Sequence, residues 1–257
     1  KQKAEADAIL DLMKESGFNA VYFQVRGMSD AMYKSSYEPW SSYLTGTRGA
    51  APSYDPLEYW VAACHERGME CYAWINPYRY ESSVSGASWT GSTDYRKTHP
   101  DWILEYNNAS ILNPGIEAVK TRIVDVCREI VTNYDIDGIV FDDYFYLNSV
   151  PNSYDSSLYN SSGTTLSQGD WRRENVNDMV RKVNAMIKSV KPYVKFGISP
   201  AGVSKTSASK YGISTSSISS APDWQYEQIC SDPLAWLGEG SIDFISPQIY
   251  WLTSHST

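Results

Sequence analysis

The stretch Gly115-Ile-Glu-Ala-Val-Lys-Thr-Arg-Ile-Val-Asp-Val-Cys-Arg-Glu-Ile-Val-Thr-Asn-Tyr-Asp-Ile-Asp-Gly-Ile-Val-Phe-Asp-Asp-Tyr-Phe-Tyr146 decides the fold. Val119, Ile123, Val126, Cys127 and Ile130 recur at three- and four-residue spacing, which predicts an amphipathic helix from the Asn113-Pro-Gly115 turn to about Tyr134. Gly138-Ile-Val-Phe-Asp142 then reads as a short apolar strand, and a polar Ser/Asn/Tyr-rich loop follows to Gln168. A helix delivered directly into a buried strand is half of a βαβ unit.

The same rhythm extends in both directions. Upstream, a helix from about Ala4 to Ser16 carries Ala6, Ile9, Leu10 and Met13 on one stripe, with Gly17 placed to end it. The strand Asn19–Arg26 follows. A helix from about Pro56 to Arg67, capped by Asp55, ends at Gly68 and feeds the strand Glu70–Asn76. A long connection holding Trp89 and Trp102 leads to the deciding stretch. Downstream, Trp171 to Val190 reads as a helix, Lys195–Ser199 as a strand and about Ser204 to Ser220 as a Ser-rich surface loop. A short helix near Pro233–Leu237 precedes the strand that begins at Ile242.

Five strands result, with long excursions after their C-terminal ends and short returns. That asymmetry predicts a TIM-type (β/α)8 barrel, whose site is built from βα loops. A doubly wound open sheet is the competitor, but no glycine-rich phosphate turn follows any strand. No linker divides the chain, so residues 1–257 read as one domain.

Composition bounds the function. The chain has 257 residues, 42% of them hydrophobic and 20% charged, as in a globular protein. Its net charge of −8 argues against a nucleic-acid partner, whose phosphates need a basic surface. No apolar run is long enough to be a transmembrane segment. The 20 Tyr and 9 Trp against only 6 Phe suggest rings at a wet surface, because Tyr and Trp join an apolar face to a polar tip. Cys64, Cys71, Cys127 and Cys230 lack metal-type spacing and read as structural thiols. His65, His99 and His255 are scattered, so neither a metal site nor a cofactor is expected. No GxSxG elbow is present.

Strand alternation assigns the side chains that face the barrel interior. They are Tyr22, Gln24 and Arg26 on the first strand, Tyr72, Trp74 and Asn76 on the second, and Val140, Asp142 and then Tyr144 on the third. The fourth contributes Gly197 and Ser199, and the fifth Ser246, Gln248 and Tyr250. Amides, an arginine, a carboxylate and flat rings thus converge at one end of one cavity, and this suits sugar recognition. Asp142 and Asp143 are the catalytic candidates, since adjacent carboxylates resist joint ionisation and one can hold a proton as an acid. A turn-capping role for Asp143 is the plain alternative. Gln24, Arg26, Trp74, Asn76, Tyr78, Arg79, Tyr144, Tyr146, Ser199, Gln248, Tyr250 and Trp251 are the candidate substrate-binding residues. Arg79 could equally clamp a substrate carboxylate or form an ion pair with Asp142. Trp60 and Trp236 fall on helix patterns and read as core.

Several stretches resemble the bacterial glycosyl hydrolase-like family ten. They are Gly17–Arg26, Ser36-Tyr-Glu-Pro-Trp40 with Tyr43-Leu-Thr-Gly46, Ala73-Trp-Ile-Asn-Pro-Tyr-Arg79, Leu112-Asn-Pro-Gly115, Tyr134–Tyr146, Trp171-Arg-Arg-Glu-Asn-Val-Asn177, Phe196-Gly-Ile-Ser-Pro200 and Ile245-Ser-Pro-Gln-Ile-Tyr-Trp251. The resemblance implies a TIM-like barrel of secreted proteins acting on peptidoglycan glycan strands. It also implies a periplasmic or cell-surface location, a lipid anchor included. Leu147 stands where the family has Pro. The family barrel has one strand before the first helix here and two after Trp251, so the resemblance implies a fragment of a longer chain. The third strand is similar to that of chitinase-type barrels, but Val140 replaces an Asp and Tyr144 occupies the place of their catalytic Glu.

The expected function is therefore a glycoside hydrolase working on a cell-wall or related polysaccharide through Asp142. A non-catalytic carbohydrate-binding barrel of the cell envelope is the alternative. A metal-dependent deacetylase is disfavoured by the scarcity of histidine.

Overall fold

The computed structural model describes residues 1–83, 91–92, 94–214, 223–250 and 252. Trp89, Trp251 and the end of the Ser-rich loop fall outside the described residues. Five parallel strands form the central sheet: β1 (Ala20–Arg26), β2 (Glu70–Ile75), β6 (Gly138–Phe141), β7 (Lys195–Ile198) and β8 (Phe244–Ile245). Their order in space is β1-β2-β6-β7-β8, which is also their order in sequence. Three further strands, β3 (Arg79–Glu81), β4 (Ile103–Tyr106) and β5 (Ala109–Leu112), make a separate antiparallel sheet in the order β3-β5-β4.

Helices return the chain between the parallel strands. Gln2–Glu15, Pro56–Glu66, Glu117–Asn133 and Gln168–Val190 each turn one apolar face to the sheet. Asp55 caps the second of these, accepting from the amides of Leu57 (3.0 Å) and Glu58 (3.3 Å). Val119, Ile123, Val126, Cys127 and Ile130 are all buried, as are Val176, Met179, Val180, Val183 and Ile187 on the longest helix. Trp236 is fully buried and donates its indole N–H to Asn177 at 2.7 Å; Trp60 stacks on Phe23 at 4.7 Å. All four cysteines are buried free thiols.

A parallel sheet curved with its helices outside is the architecture of a TIM-type barrel. Among the described residues five strands are present and the sheet does not close on itself.

The concave face of the sheet is floored by aromatic rings. Tyr22, Tyr72 and Phe244 meet there with centroid separations of 5.3, 5.6 and 6.4 Å. Gly138 and Gly197 make room for them. A Cβ on Gly138 would lie 2.3 Å from the Tyr72 ring, and one on Gly197 would lie 2.3 Å from the Phe244 ring. These two interior positions cannot carry a side chain while the floor stays as it is.

The antiparallel sheet is absent from the strand pattern inferred from sequence, where this region reads as a long connection. Its signal is Ile103-Leu-Glu-Tyr-Asn-Asn-Ala-Ser-Ile-Leu112. Tyr106 pairs with Ala109, so Asn107 and Asn108 form a two-residue hairpin turn, with φ of +50° and +61°. Asparagine tolerates that left-handed backbone, and paired positive φ values match the strand twist.

Candidate active site

The interior side chains converge at the C-terminal end of the sheet, as alternation requires. A cavity of about 500 Å³ is lined by Tyr22, Gln24, Trp74, Arg79, Val140, Asp142, Tyr144, Ser199, Gln248 and Tyr250. Every parallel strand, or the loop just beyond it, contributes to this wall.

Asp142 is the carboxylate at its base. Its backbone N–H donates to the carbonyl of Ile75 at 3.1 Å, which fixes the residue just past the end of β6. Oδ1 accepts from the Asp143 amide at 2.9 Å and from Gln248 Nε2 at 3.1 Å. Gln248 Nε2 also donates to the Ser199 carbonyl at 2.8 Å, so its amide is locked between two strands. The Asp143 carboxyl hydrogen-bonds the Asp142 carboxylate as well. Asp142 is thus held by Gln248 and by its own neighbour while it lines the cavity.

Asp143 lies beside it and is only 6% exposed. Burial, then hydrogen bonding and charge repulsion from Asp142, raise its carboxyl to about 7, with Gln248 opposing the rise. Its Oδ1 is buried without a partner. A carboxyl so placed keeps its proton through most of the acid range. Asp143 does not line the cavity; it backs the residue that does.

Arg79 and Tyr144 form the rim. The Arg79 guanidinium carbon lies 3.8 Å from the centre of the Tyr144 ring, a stacked cation–π pair. These two residues also line a second cavity of about 660 Å³, walled by Glu81, Tyr106, Asn107 and Ser110 of the antiparallel sheet and by Tyr146 to Ser149, Trp224 and Ile229. The cleft therefore continues across the Arg79–Tyr144 ridge. The antiparallel sheet is the part of the site that reasoning from strand alternation did not reach, together with Glu81, Tyr106 and Trp224. The Asn-Asn turn flanked by apolar pairs was the available sign for the sheet.

Three residues expected at the substrate, Arg26, Asn76 and Tyr78, lie elsewhere, and a fourth, Tyr146, reaches only the second cavity. Arg26 is 1% exposed. Its guanidinium donates to Glu38 (2.8 and 3.1 Å), to the carbonyls of Asn76 (2.6 Å) and Pro77 (2.9 Å) and to Ser29 Oγ (3.0 Å). The physical reason is a register shift between Gln24 and Arg26 against β2, which turns Arg26 away from the interior face. Asn76 is fully buried, with Nδ2 donating to the Gly27 carbonyl at 3.2 Å. Tyr78 is buried in the core. Tyr146 borders the second cavity but is 1% exposed, packed under Arg172. All four build the loops that carry the site. Trp251 is outside the described residues.

Ser199 lines the cavity, but its Oγ is committed to the Ser246 carbonyl at 2.9 Å. Tyr250 is 85% exposed at the mouth. Arg172 pins the loop after β6 by donating to Asp155 (2.8 and 2.5 Å) and to the carbonyls of Val150 and Pro151. Among the described residues no group of three or more His, Cys, Asp or Glu could hold a metal ion. No described helix is long and apolar enough to cross a membrane.

A model of the glycosyl hydrolase-like 10 family matches residues 1–257. The chain belongs to this family. It is 40% identical over 255 residues to the glycosyl hydrolase YngK of Bacillus subtilis (strain 168), covering 98% of this chain and 49% of that protein. It is 38% identical over 269 residues to the glycosyl hydrolase DigH of Escherichia coli (strain K12), covering 100% of this chain and 60% of that protein. The chain thus spans about half to three-fifths of the length of these relatives. Among solved structures, α-L-fucosidase isoenzyme 2 from Paenibacillus thiaminolyticus superposes with a TM-score of 0.57 at 12% identity, over 80% of this chain and 31% of that one. At that identity the likeness speaks for the fold alone.

Proposed function

We propose that this chain carries the glycosidase site of a glycoside hydrolase, with Asp142 as the reacting carboxylate. The observation that carries the reading is the placement of Asp142. Its Oδ1 is fixed by Gln248 and the Asp143 amide, and the residue lines a cleft together with Trp74, Tyr144 and Tyr250. Flat rings take the C–H faces of pyranoses, and the carboxylate attacks or electrostatically stabilises the oxocarbenium-like anomeric carbon. Membership of a family named for glycosyl hydrolases supports the same chemistry.

Asp143 serves as a proton-holding neighbour. It cannot be the second flanking carboxyl, because a retaining pair stands about 5–5.5 Å apart and an inverting pair farther still, with a sugar between them. Asp143 instead hydrogen-bonds Asp142 directly. The other carboxyl in the described lining is Glu81, which is engaged by Arg96 and by Ser110 Oγ. We assign the substrate to cell-wall glycan strands or a related polysaccharide, and the place of action to the periplasm or cell surface.

The test is digestion of peptide-stripped peptidoglycan glycan strands by the whole protein, with products read by mass spectrometry. Asp142→Asn should lower turnover by at least about a thousandfold and leave the melting temperature in place. Full activity in that variant would sink the assignment. Tight glycan retention with no cleavage by the unaltered protein would favour a carbohydrate-binding barrel instead.

A further inference from the structure

We infer that Arg79 is a specificity residue that selects a carboxylate-bearing sugar at the junction of the two cavities; this rests on the glycoside hydrolase reading above. The guanidinium carbon lies over the Tyr144 ring, 3.8 Å from its centre, and this contact leaves the N–H donors unspent. No acid lies within salt-bridge distance of it among the described residues, and none accepts a hydrogen bond from it. Arg79 is half-buried, and the buried arginines are engaged: Arg26 by Glu38, Arg172 by Asp155, Arg173 by Asp170. Arg79 alone among these four is presented to a cleft with its donors open.

The electrostatics choose the ligand. The remaining charged lining is acidic, with Asp142 in the first cavity and Glu81 in the second. Glu81 is already held by Arg96 and by Ser110 Oγ at 3.0 Å, so it does not neutralise Arg79. One open cation in an otherwise anionic cleft balances one monoanion. A dianionic phosphate would need a second cation, and the described lining holds none beside Arg79. A carboxylate is planar, singly charged and matches the guanidinium fork bidentately. Because Arg79 lines both cavities and Asp142 lines only the first, the carboxylated residue sits next to the sugar whose bond is cut.

Two carbohydrate chemistries present such a group: a uronic acid on the ring, or a lactyl ether beside it. Two probes separate them, oligogalacturonates for the first and peptide-stripped peptidoglycan glycan strands for the second. Each is used as such and after carbodiimide amidation of its carboxylates. Binding is measured by calorimetry with Asp142→Asn protein, and cleavage with the unaltered protein. For the preferred acid probe, amidation should weaken binding roughly tenfold or more. Arg79→Ala should abolish that difference, while Arg79→Lys should retain part of it.

Equal binding of an acid and its amide by Asp142→Asn protein overturns the inference and leaves hydrolysis standing. Discrimination that survives in Arg79→Ala also overturns it. If discrimination holds but the unaltered protein cleaves neither probe, the carboxylate site stands and the hydrolase reading fails.

Discussion

Two arginines, one on each sheet, have opposite fates. Arg26 ends β1 and Arg79 begins β3, and both look like sugar-binding groups in the sequence. Arg26 is sealed in a node that donates to Glu38, Ser29 and two carbonyls of the loop after β2. Tyr95 adds a hydrogen bond to the same Glu38 at 3.2 Å. Arg79 has a ring beneath it and solvent beyond. Ser29 joins the two regions, because its hydroxyl accepts from Arg26 and donates to the Arg79 carbonyl at 3.1 Å. The buried arginine fixes the backbone from which the open one projects. The lesson is that a charge with all its donors satisfied builds structure, and one with its donors free is available for chemistry.

Three substitutions test that division. Arg26→Met should have the largest effect, because it leaves Glu38 buried and uncompensated. Stability should fall by about 3–5 kcal/mol in urea unfolding, and glycan binding should weaken only as the loop loosens. A loss below about 1 kcal/mol would break the distinction between the two arginines.

Asp143→Asn comes next and concerns the acid pair beyond β6. The Asp143 carboxyl is raised to about 7, above its ordinary value. A raised carboxyl stabilises the folded state fully below about pH 4, and that contribution is lost as the pH climbs through 7. The unaltered protein should therefore lose about 2–4 kcal/mol between pH 4 and pH 8 at this site, and Asp143→Asn should lose none of it. Denaturant midpoints at the two pH values check this. Parallel curves for the two proteins would show that Asp143 ionises freely.

Arg79→Ala should have the smallest effect on folding, within about 0.5 kcal/mol, because the guanidinium is not tied into the structure. A loss as large as that of Arg26→Met would make Arg79 a second structural node.

Much of this was legible in the sequence where the physics is local. Period-3.6 stripes located the main helices, and alternation put Gln24, Trp74, Asp142, Ser199, Gln248 and Tyr250 on one wall. Alternation failed one residue later. The register shift before Arg26 changes which face it meets, and a bulge has no reliable sequence mark. Asn76 and Tyr78 failed for another reason. They follow strand ends, where the chain leaves the pleat and the period of two no longer applies. The antiparallel sheet is set by pairing between β3 and β5, about thirty residues apart, which no local pattern specifies. The raised Asp143 carboxyl was foreseeable only as a property of the adjacent pair. Which member takes the proton depends on burial, and burial is tertiary.

The floor of Tyr22, Tyr72 and Phe244, seated against Gly138 and Gly197, couples distant positions through volume alone. The Tyr72 and Phe244 rings fill the space that a side chain on the facing glycine would need, so a single added methyl group at Gly138 or Gly197 has to push a ring aside. The displaced ring leans on Tyr22, and Tyr22 also lines the cavity that holds Asp142. The smallest residues of the sheet thereby set the shape of a wall they do not touch.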